Sequence, residues 1–135
     1  MNTKFLMDDY CFACGVKNDN GLKLNIVDAH DGVEAKIKLP LWTQGYKKIA
    51  HGGIISTILD ELAVWAAFKK GHKVVTASLN IRIKKAMTVS EEYTARGTVV
   101  NIKHGLVQAK SEIVNKDNEI IAFADVKLLK SDSIK

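Results

Sequence analysis

One segment of the sequence, residues 51–70, restricts the fold more than any other, because it has the pattern of a helix that is apolar on most of its sides. Ile54, Ile58, Leu62 and Trp65 form one stripe at helical spacing. Small or apolar residues cover most of the opposite side, and they are Ser56, Ala63, Val64 and Ala67. A helix with so little polar surface must be wrapped by a sheet or buried by a partner.

The segments on both sides of this helix have the alternating pattern of strands. Before the helix, residues 21–27 and 33–39 predict two strands with Asp31-Gly32 as the hairpin turn between them. After the helix the pattern predicts four strands, beginning at residues 74, 92, 106 and 119, with His104-Gly105 and Asp117-Asn118 as tight turns. This order predicts an α+β fold in which a curved antiparallel sheet of five to six strands wraps around one long central helix.

The length of 135 residues fits a single domain. We expect residues 1–20 to form an N-terminal turn segment and residues 130–135 to form a flexible tail. The longest apolar stretch is interrupted by charged residues and is too short to span a bilayer, and the N-terminus does not resemble a secretory signal. The sequence therefore predicts a cytoplasmic protein without a membrane segment.

The formal net charge of +5 comes mostly from lysine. The lysines are spread along the chain, without an arginine-rich run or interleaved aromatic residues, so the pattern does not favour nucleic-acid binding. It fits a solvated surface that also attracts an anionic small ligand. The candidates for that second role are Lys47, Lys48, Arg82, Lys84 and Lys85.

Two cysteines, Cys11 and Cys14, form a single C-x-x-C pattern. A structural zinc site needs four ligands, and the sequence has no second cysteine pair or paired histidines with finger spacing. No βαβ pattern surrounds the pair, as a thioredoxin-like motif would require. The sequence therefore favours two thiols packed in a turn over a metal or redox centre, and no metal site is predicted.

The start of the central helix carries the strongest signal for chemistry. Helix starts expose backbone N–H groups at the positive end of the helix dipole, and the pair Gly52-Gly53 lets a ligand approach them closely. An N–H group there can stabilise the oxyanion that forms when water attacks a thioester carbonyl. Asp60 projects from the side of the helix that bears small and apolar residues, where a carboxylate is suited to act as a general base or nucleophile.

Two neighbours of these residues have open roles. We include His51 among the predicted catalytic residues, since it can orient the loop or contact the acyl group, although a capping or packing histidine explains it equally well. Glu61 can be a second site residue, but a salt bridge at the rim explains it at least as well, so we leave it out of the catalytic set.

The segment H-G-G-I-I-S-T-I-L-D-E resembles the central helix of hotdog-fold acyl-CoA thioesterases, in particular the phenylacetate-pathway type. Two further segments extend the likeness. C-F-A-C-G-V-K-N-D-N-G-L, which begins at Cys11, resembles the entry segment of that family. V-T-A-S-L-N-I-R-I-K-K-A, which begins at Val75, resembles the strand after its helix.

The resemblance implies a hotdog fold and hydrolysis of an acyl-CoA, with coenzyme A entering only as part of the substrate. It implies that Gly52 is the oxyanion donor, that Asp60 is the nucleophile or base, and that Thr76 helps to place the water. Members of the family are dimers or tetramers with active sites between protomers, so the resemblance implies a homo-oligomer.

This chain departs from the family pattern at two positions. The usual proline after the post-helix strand is Ala86, and Gly45 stands where some members carry a catalytic asparagine. The neighbouring Gln44 is the candidate replacement for that asparagine. The predicted substrate-binding residues are Gln44, Gly53, Asn80, Arg82, Lys84 and Lys85.

Two other functions remain open from the sequence. Hotdog dehydratases act on hydroxyacyl thioesters with an acid/base pair and without an attacking water. A binding module for acyl-CoA without turnover is the second alternative, but an anionic ligand gains nothing from the Asp60 carboxylate.

Overall fold

The computed structural model describes residues 7–131, and their six strands form one sheet in which all neighbouring strands are antiparallel. The elements are β1 (Val27–Ala29), β2 (Gly32–Lys38), a single 3-10 turn (Leu41–Thr43), α1 (Gly52–Lys69), β3 (Val74–Ile83), β4 (Glu92–Lys103), β5 (Leu106–Val114) and β6 (Ile120–Lys130). The strand order is β1-β2-β4-β5-β6-β3, so β1 and β3 are the two edges.

The helix α1 lies across the sheet and contacts β2 through β6. Its buried side chains include Ile55, Ile58, Leu59 and Leu62, and they pack against inward-facing residues of the strands. The sheet contributes mainly small and β-branched residues to this contact, among them Ala35, Ala95, Val107, Ile113 and Val126. The predicted α+β fold, with a sheet wrapped around one apolar helix, is confirmed.

The sheet and the helix approach each other very closely at Gly97 in β4. A Cβ atom at this position would lie 2.3 Å from the carbonyl oxygen of Leu62, so only glycine allows the helix to pack this closely. On the neighbouring strand, the Ser111 hydroxyl donates to the carbonyl oxygen of Leu59 at 2.7 Å. These two contacts fix the middle of α1 against the centre of the sheet.

The prediction for the segment before β2 was wrong in two details. Residues 21–26 form no strand, because the N–H groups of Leu22 and Leu24 donate to carbonyl oxygens of the N-terminal turn, those of Phe12 and Ala13. The first strand is therefore only Val27–Ala29, and the hairpin turn is formed by residues 30 and 31 instead of 31 and 32. Of the expected flexible tail, residues 132–135 lie outside the described part of the chain, as do residues 1–6 of the expected N-terminal turn segment.

A β-bulge in β3 changes which of its side chains face the helix. The pairing with β6 shifts register between Thr76 and Ser78, so Ala77 is an extra residue in the strand. Regular alternation of side chains along the strand would place Thr76 on the opposite face from Leu79 and Ile81, and the structure does not have this arrangement. Because of the bulge, Thr76 reaches the helix on the same side as these two residues, which pack against the core.

Among residues 7–131, α1 does not qualify as a membrane span, and it is the sole α-helix of this part of the chain.

Candidate active site

His51 is the N-cap of α1 and determines which backbone N–H group at the helix start is free. Its Nδ1 accepts a hydrogen bond from Gly53 N–H at 2.8 Å, so in the neutral imidazole the proton is on Nε2. Its carbonyl oxygen accepts from the N–H groups of Ile54 and Ile55. Gly52 N–H has no acceptor among residues 7–131, and Gly52 is exposed. The structure therefore leaves one donor, at Gly52, at the positive end of the helix dipole.

The loop before the helix folds back over His51. Gln44 pairs with Ala50, and the Gln44 side-chain oxygen accepts a hydrogen bond from Lys48 N–H at 2.9 Å. Gly45 packs so closely that a Cβ atom there would lie 3.2 Å from His51 Cδ2. An asparagine side chain at position 45 would crowd His51. The side-chain oxygen of Gln44 is already engaged in its hydrogen bond with Lys48 N–H. The substrate-binding role of Gln44 remains a prediction.

Asp60 lies in the middle of α1 and is held by one side chain of the sheet. The Thr76 hydroxyl donates to Asp60 Oδ1 at 2.5 Å. Burial raises the pKa of Asp60 above its ordinary value, and the hydrogen bond from Thr76 opposes that shift. The second oxygen, Oδ2, accepts no hydrogen bond from the described residues, which leaves it available to a water molecule or a substrate.

Gly52 and Asp60 do not meet within one chain. Asp60 is eight positions after Gly52, which at about 1.5 Å per residue is about 12 Å along the axis, and the two positions differ by about 80° around it. A thioester carbonyl is far smaller than this distance. Within one chain, the Gly52 donor and the Asp60 carboxylate therefore cannot contact the same carbonyl group.

The predicted substrate-binding residues of β3 lie away from Asp60. Asn80 and Arg82 pair with Asp125 and Phe123 of β6, in register between the inward-facing residues of both strands, so they occupy the outer face of the sheet. Lys84 and Lys85 follow the strand, and both of their N–H groups donate to the carbonyl oxygen of one residue, Ile121. The Lys85 ammonium forms an ion pair with Glu119. A role for these four residues in substrate binding remains a prediction.

Glu61 does not form the expected rim salt bridge within the described residues. Its carboxylate oxygen Oε1 instead accepts a hydrogen bond from Cys14 Sγ at 3.4 Å. Burial, together with the charge of Asp60, raises the pKa of Glu61, and the contacts with Cys14 and Trp65 lower it. Sequence reasoning missed this contact, because the two residues are 47 positions apart.

Exposed aromatic residues beside the helix start were also missed. Trp42 is 57% exposed and Tyr46 is 85% exposed, although large aromatic side chains usually lie in a core or an interface.

Two surface depressions of the described chain lie away from the helix start, one beside Lys36 and Glu92 and one beside Arg96 and Phe123. Neither includes Asp60 or Gly52.

More than half of the chain matches one known protein family. The family model of the thioesterase superfamily matches residues 47–122, which include α1 and β3 through β5. The chain belongs to the thioesterase superfamily. No curated protein matches the sequence.

Solved structures of this superfamily have the same fold. Thioesterase superfamily member 2 of zebrafish is 19% identical, with 87% of this chain and 92% of that chain covered and a TM-score of 0.76. A hypothetical thioesterase protein of Streptococcus pneumoniae TIGR4, solved with coenzyme A, is 22% identical, with 80% and 88% covered and a TM-score of 0.75. The PaaI protein of E. coli, from the phenylacetic acid degradation operon, is 18% identical, with 81% and 84% covered and a TM-score of 0.74. The expected hotdog fold is thereby confirmed.

The S. pneumoniae protein has also been solved as two alanine mutants. One replaces an aspartate and the other a threonine that is 16 positions further along its chain. Asp60 and Thr76 of the present chain have the same separation.

Proposed function

We propose that this thioesterase superfamily protein hydrolyses an acyl-CoA thioester to a free acid and coenzyme A, in the cytoplasm and as a homodimer or homotetramer. The observation that carries the proposal is the pair of half-sites on α1. One is the free Gly52 N–H at the helix start, and the other is the Asp60 carboxylate held by Thr76. Each supplies one requirement of thioester hydrolysis, a donor for the oxyanion and a group that activates the attack.

The proposed reaction uses both groups on one carbonyl. Gly52 N–H donates to the thioester oxygen, where negative charge develops during the attack. Asp60 acts as general base, taking a proton from a water whose oxygen forms a bond to the carbonyl carbon, or attacks that carbon itself. The C–S bond then breaks, and coenzyme A leaves as the thiolate and takes up a proton. Attack by Asp60 itself would form a mixed anhydride, which a second step with water hydrolyses.

A second copy of the chain would bring the half-sites together. The separation of about 12 Å along α1 prevents Gly52 and Asp60 of one chain from touching the same carbonyl. A symmetric dimer with two α1 helices side by side and antiparallel would set Gly52 of one protomer beside Asp60 of the other. The exposed edge of the sheet at β3 and the poorly charged outer side of α1 support such an interface.

Two properties of the relatives support acyl-CoA as the substrate. The S. pneumoniae protein of the same fold was solved with coenzyme A. A Streptococcus mutans protein, 19% identical and with a TM-score of 0.74, was solved bound to acetyl-CoA. The net charge of +5 suits the phosphates of coenzyme A, for which the lysines near positions 47 and 84 remain candidates.

The aspartate and threonine replaced in the S. pneumoniae mutants support the assignment of roles within the site. Their separation equals that of Asp60 and Thr76, which are joined by a hydrogen bond here. We assign Asp60 as the reacting carboxylate and Thr76 as the residue that positions it, with His51 as the cap that keeps Gly52 N–H free.

The test is an assay of thiol release from a panel of aromatic, short aliphatic and long aliphatic acyl-CoAs. We expect hydrolysis of at least one class, with free acid and coenzyme A in equal amounts. Absence of thiol release across the panel, together with tight binding of the acyl-CoAs, would contradict the proposal and favour a binding module. Release of an unsaturated thioester from a hydroxyacyl-CoA, without free thiol, would favour a dehydratase.

A further inference from the structure

A second cluster of reactive side chains lies where the N-terminal turn meets α1. Cys11 Sγ, Cys14 Sγ and a carboxylate oxygen of Glu61 all lie within 4.8 Å of one another. Both cysteines are half-buried and neither is in a disulfide. Thioester hydrolysis as proposed above uses none of these three groups.

The backbone holds the two thiols in place. Gly15 N–H donates to the carbonyl oxygen of Cys11 at 2.8 Å, which closes the C-x-x-C turn. A Cβ atom at Gly15 would lie 2.3 Å from the carbonyl oxygen of Asp9, so the turn closes this tightly only with glycine. Leu22 and Leu24 donate from the following segment to the turn residues Phe12 and Ala13. These backbone contacts fix the turn that carries both thiols, which lie beside Glu61 of α1.

The cluster gathers acceptors and negative charge without a cation. None of the ion pairs among residues 7–131 includes Glu61. Trp65 Nε1–H lies beside the Cys14 thiol and the Glu61 carboxylate, yet it is buried and forms no hydrogen bond with described residues. Two thiols and a carboxylate that has no counter-ion among the described residues, beside a buried donor that lacks an acceptor, favour a bound cation.

We propose that Cys11, Cys14 and Glu61 bind a zinc ion. Two thiolates and one carboxylate are suited to zinc, since thiolates disfavour magnesium and calcium. With Zn–S distances of about 2.3 Å and a Zn–O distance of about 2.1 Å, tetrahedral ligand atoms lie about 3.5–3.8 Å apart. The Cys14 Sγ and Glu61 Oε1 atoms are already 3.4 Å apart, and the other distances, which are at most 4.8 Å, need to shorten by no more than about 1 Å. A water molecule completes the coordination. Trp65 N–H then has a thiolate or carboxylate to which it donates, as groups around metal ligands commonly do.

This ligand set explains why the sequence predicted no metal. The C-x-x-C pattern supplies two of the ligands. The third is a carboxylate of α1 that only the fold brings close to the two cysteines. The ion would join the N-terminal turn to α1 next to Asp60 and hold the entry segment against the catalytic helix, with a water in the place that a fourth protein ligand takes in the usual structural site.

The experiment is a titration of the reduced, metal-free full-length protein with Co²⁺ as a spectroscopic probe, followed by competition with Zn²⁺. We expect one Co²⁺ per chain, a sulfur-to-cobalt charge-transfer band that only thiolate ligands produce, and loss of that band when Zn²⁺ displaces the cobalt. Cys11→Ser and Cys14→Ser should each reduce the band and weaken Zn²⁺ binding by at least about tenfold. Glu61→Gln keeps the thiolates, so the band should persist while the affinity falls.

His30→Ala is the matched control, because His30 is exposed in the turn between β1 and β2 and its loss should leave the titration unchanged. Zn²⁺ should also raise the thermal unfolding temperature of the wild type, with no rise for Cys14→Ser. A folded, reduced wild type without the charge-transfer band would overturn the proposal, even if no variant folds. Equal affinity in wild type and Cys14→Ser would also overturn it. Neither result depends on thioesterase activity, so the zinc proposal and the proposed function can fail separately.

Discussion

The Thr76 hydroxyl donates to Asp60 Oδ1 at 2.5 Å, and this hydrogen bond joins the edge strand β3 to the middle of the central helix. It exists because the β-bulge at Ala77 places Thr76 on the helix side of the strand. A hydrogen bond to one carboxylate oxygen fixes the orientation of the group and leaves the other oxygen free. The bulge thereby determines that Oδ2 is the oxygen of the Asp60 carboxylate that is free to contact a water molecule or a substrate.

We expect Thr76→Val to lower kcat by about 10- to 100-fold with little change in KM, because a hydrogen bond to a charged group contributes about 1.5–3 kcal/mol. Valine has a similar shape and a high strand propensity, so folding should be retained. Thr76→Ser keeps the hydroxyl and should restore most of kcat. Steady-state kinetics of both variants are the measurement, and equal rates for Thr76→Val and Thr76→Ser would show that the hydroxyl has no role in positioning.

Asp60→Asn should lower kcat by about a hundredfold to ten-thousandfold, because the amide can neither take a proton from water nor attack the carbonyl. The unfolding temperature should not fall, since burial disfavours the charged carboxylate and the neutral amide removes that cost. Asp28→Asn is the matched control, as Asp28 is an exposed aspartate on β1 at the other edge of the sheet. Full activity of Asp60→Asn on the substrate hydrolysed best would refute the assignment.

Much of the fold could be predicted from the sequence because its signals are local. The helical spacing of apolar residues in α1 and the period-two pattern of β4 through β6 depend on neighbours in the chain. The predicted bounds of the helix and the predicted starts of these strands agree with the structure to within one residue. The short strand before β2 was placed too early, because residues 21–26 bond to the N-terminal turn instead of to a strand. Hydrogen bonds between segments that are about 10 residues apart produce no periodic pattern in the sequence of either segment.

The site was predictable in its residue types but not in its arrangement. His51, Gly52 and Asp60 are recognisable from their spacing on one helix, whereas the bulge at Ala77 has neither glycine nor proline to mark it. The contact between Cys14 and Glu61 depends on the packing of the N-terminal turn on α1. Long-range contacts of this kind follow from the complete fold, so sequence pattern alone did not reveal them.

The Gly52 N–H can be removed without disturbing the helix. Proline is favoured at the first position of a helix, and His51, with φ −61° and ψ 140°, already has the conformation preferred before proline. We expect Gly52→Pro to fold normally and to lower kcat by about 100- to 1,000-fold, as loss of one oxyanion donor does. Gly52→Ala keeps the N–H, and its added methyl group would lie 3.7 Å from Ile83 Cδ1, an ordinary contact. Retention of kcat in Gly52→Ala but not in Gly52→Pro, measured at equal unfolding temperatures, is the expected pattern; equal kcat in both would contradict the donor role.

Gly97→Ala should lower the free energy of unfolding by about 1–3 kcal/mol, because the added Cβ atom would lie 2.3 Å from the Leu62 carbonyl oxygen and the helix must move away. Both atoms belong to backbone segments that are packed in the core, so neither can turn aside as a flexible side chain would. Urea unfolding measures the effect. Gly52→Ala is the same chemical change at an uncrowded position, and a cost at Gly97 no larger than at Gly52 would show that this close approach does not hold the helix.

The two half-sites can be tested for their location on different chains by mixing two inactive variants. In a dimer of Gly52→Pro with Asp60→Asn, a site made from both chains has one intact copy, with Gly52 from the second variant and Asp60 from the first. Random exchange at equal amounts makes about half of the dimers mixed, each with one of its two sites intact, so about a quarter of the wild-type rate should return. If each site belonged to a single chain, every site would carry one lesion and the mixture would stay as inactive as its parents. The measurement is the rate after co-expression or refolding together, with each variant treated alone as the control, and absence of any recovery in a confirmed mixed dimer would exclude the shared site.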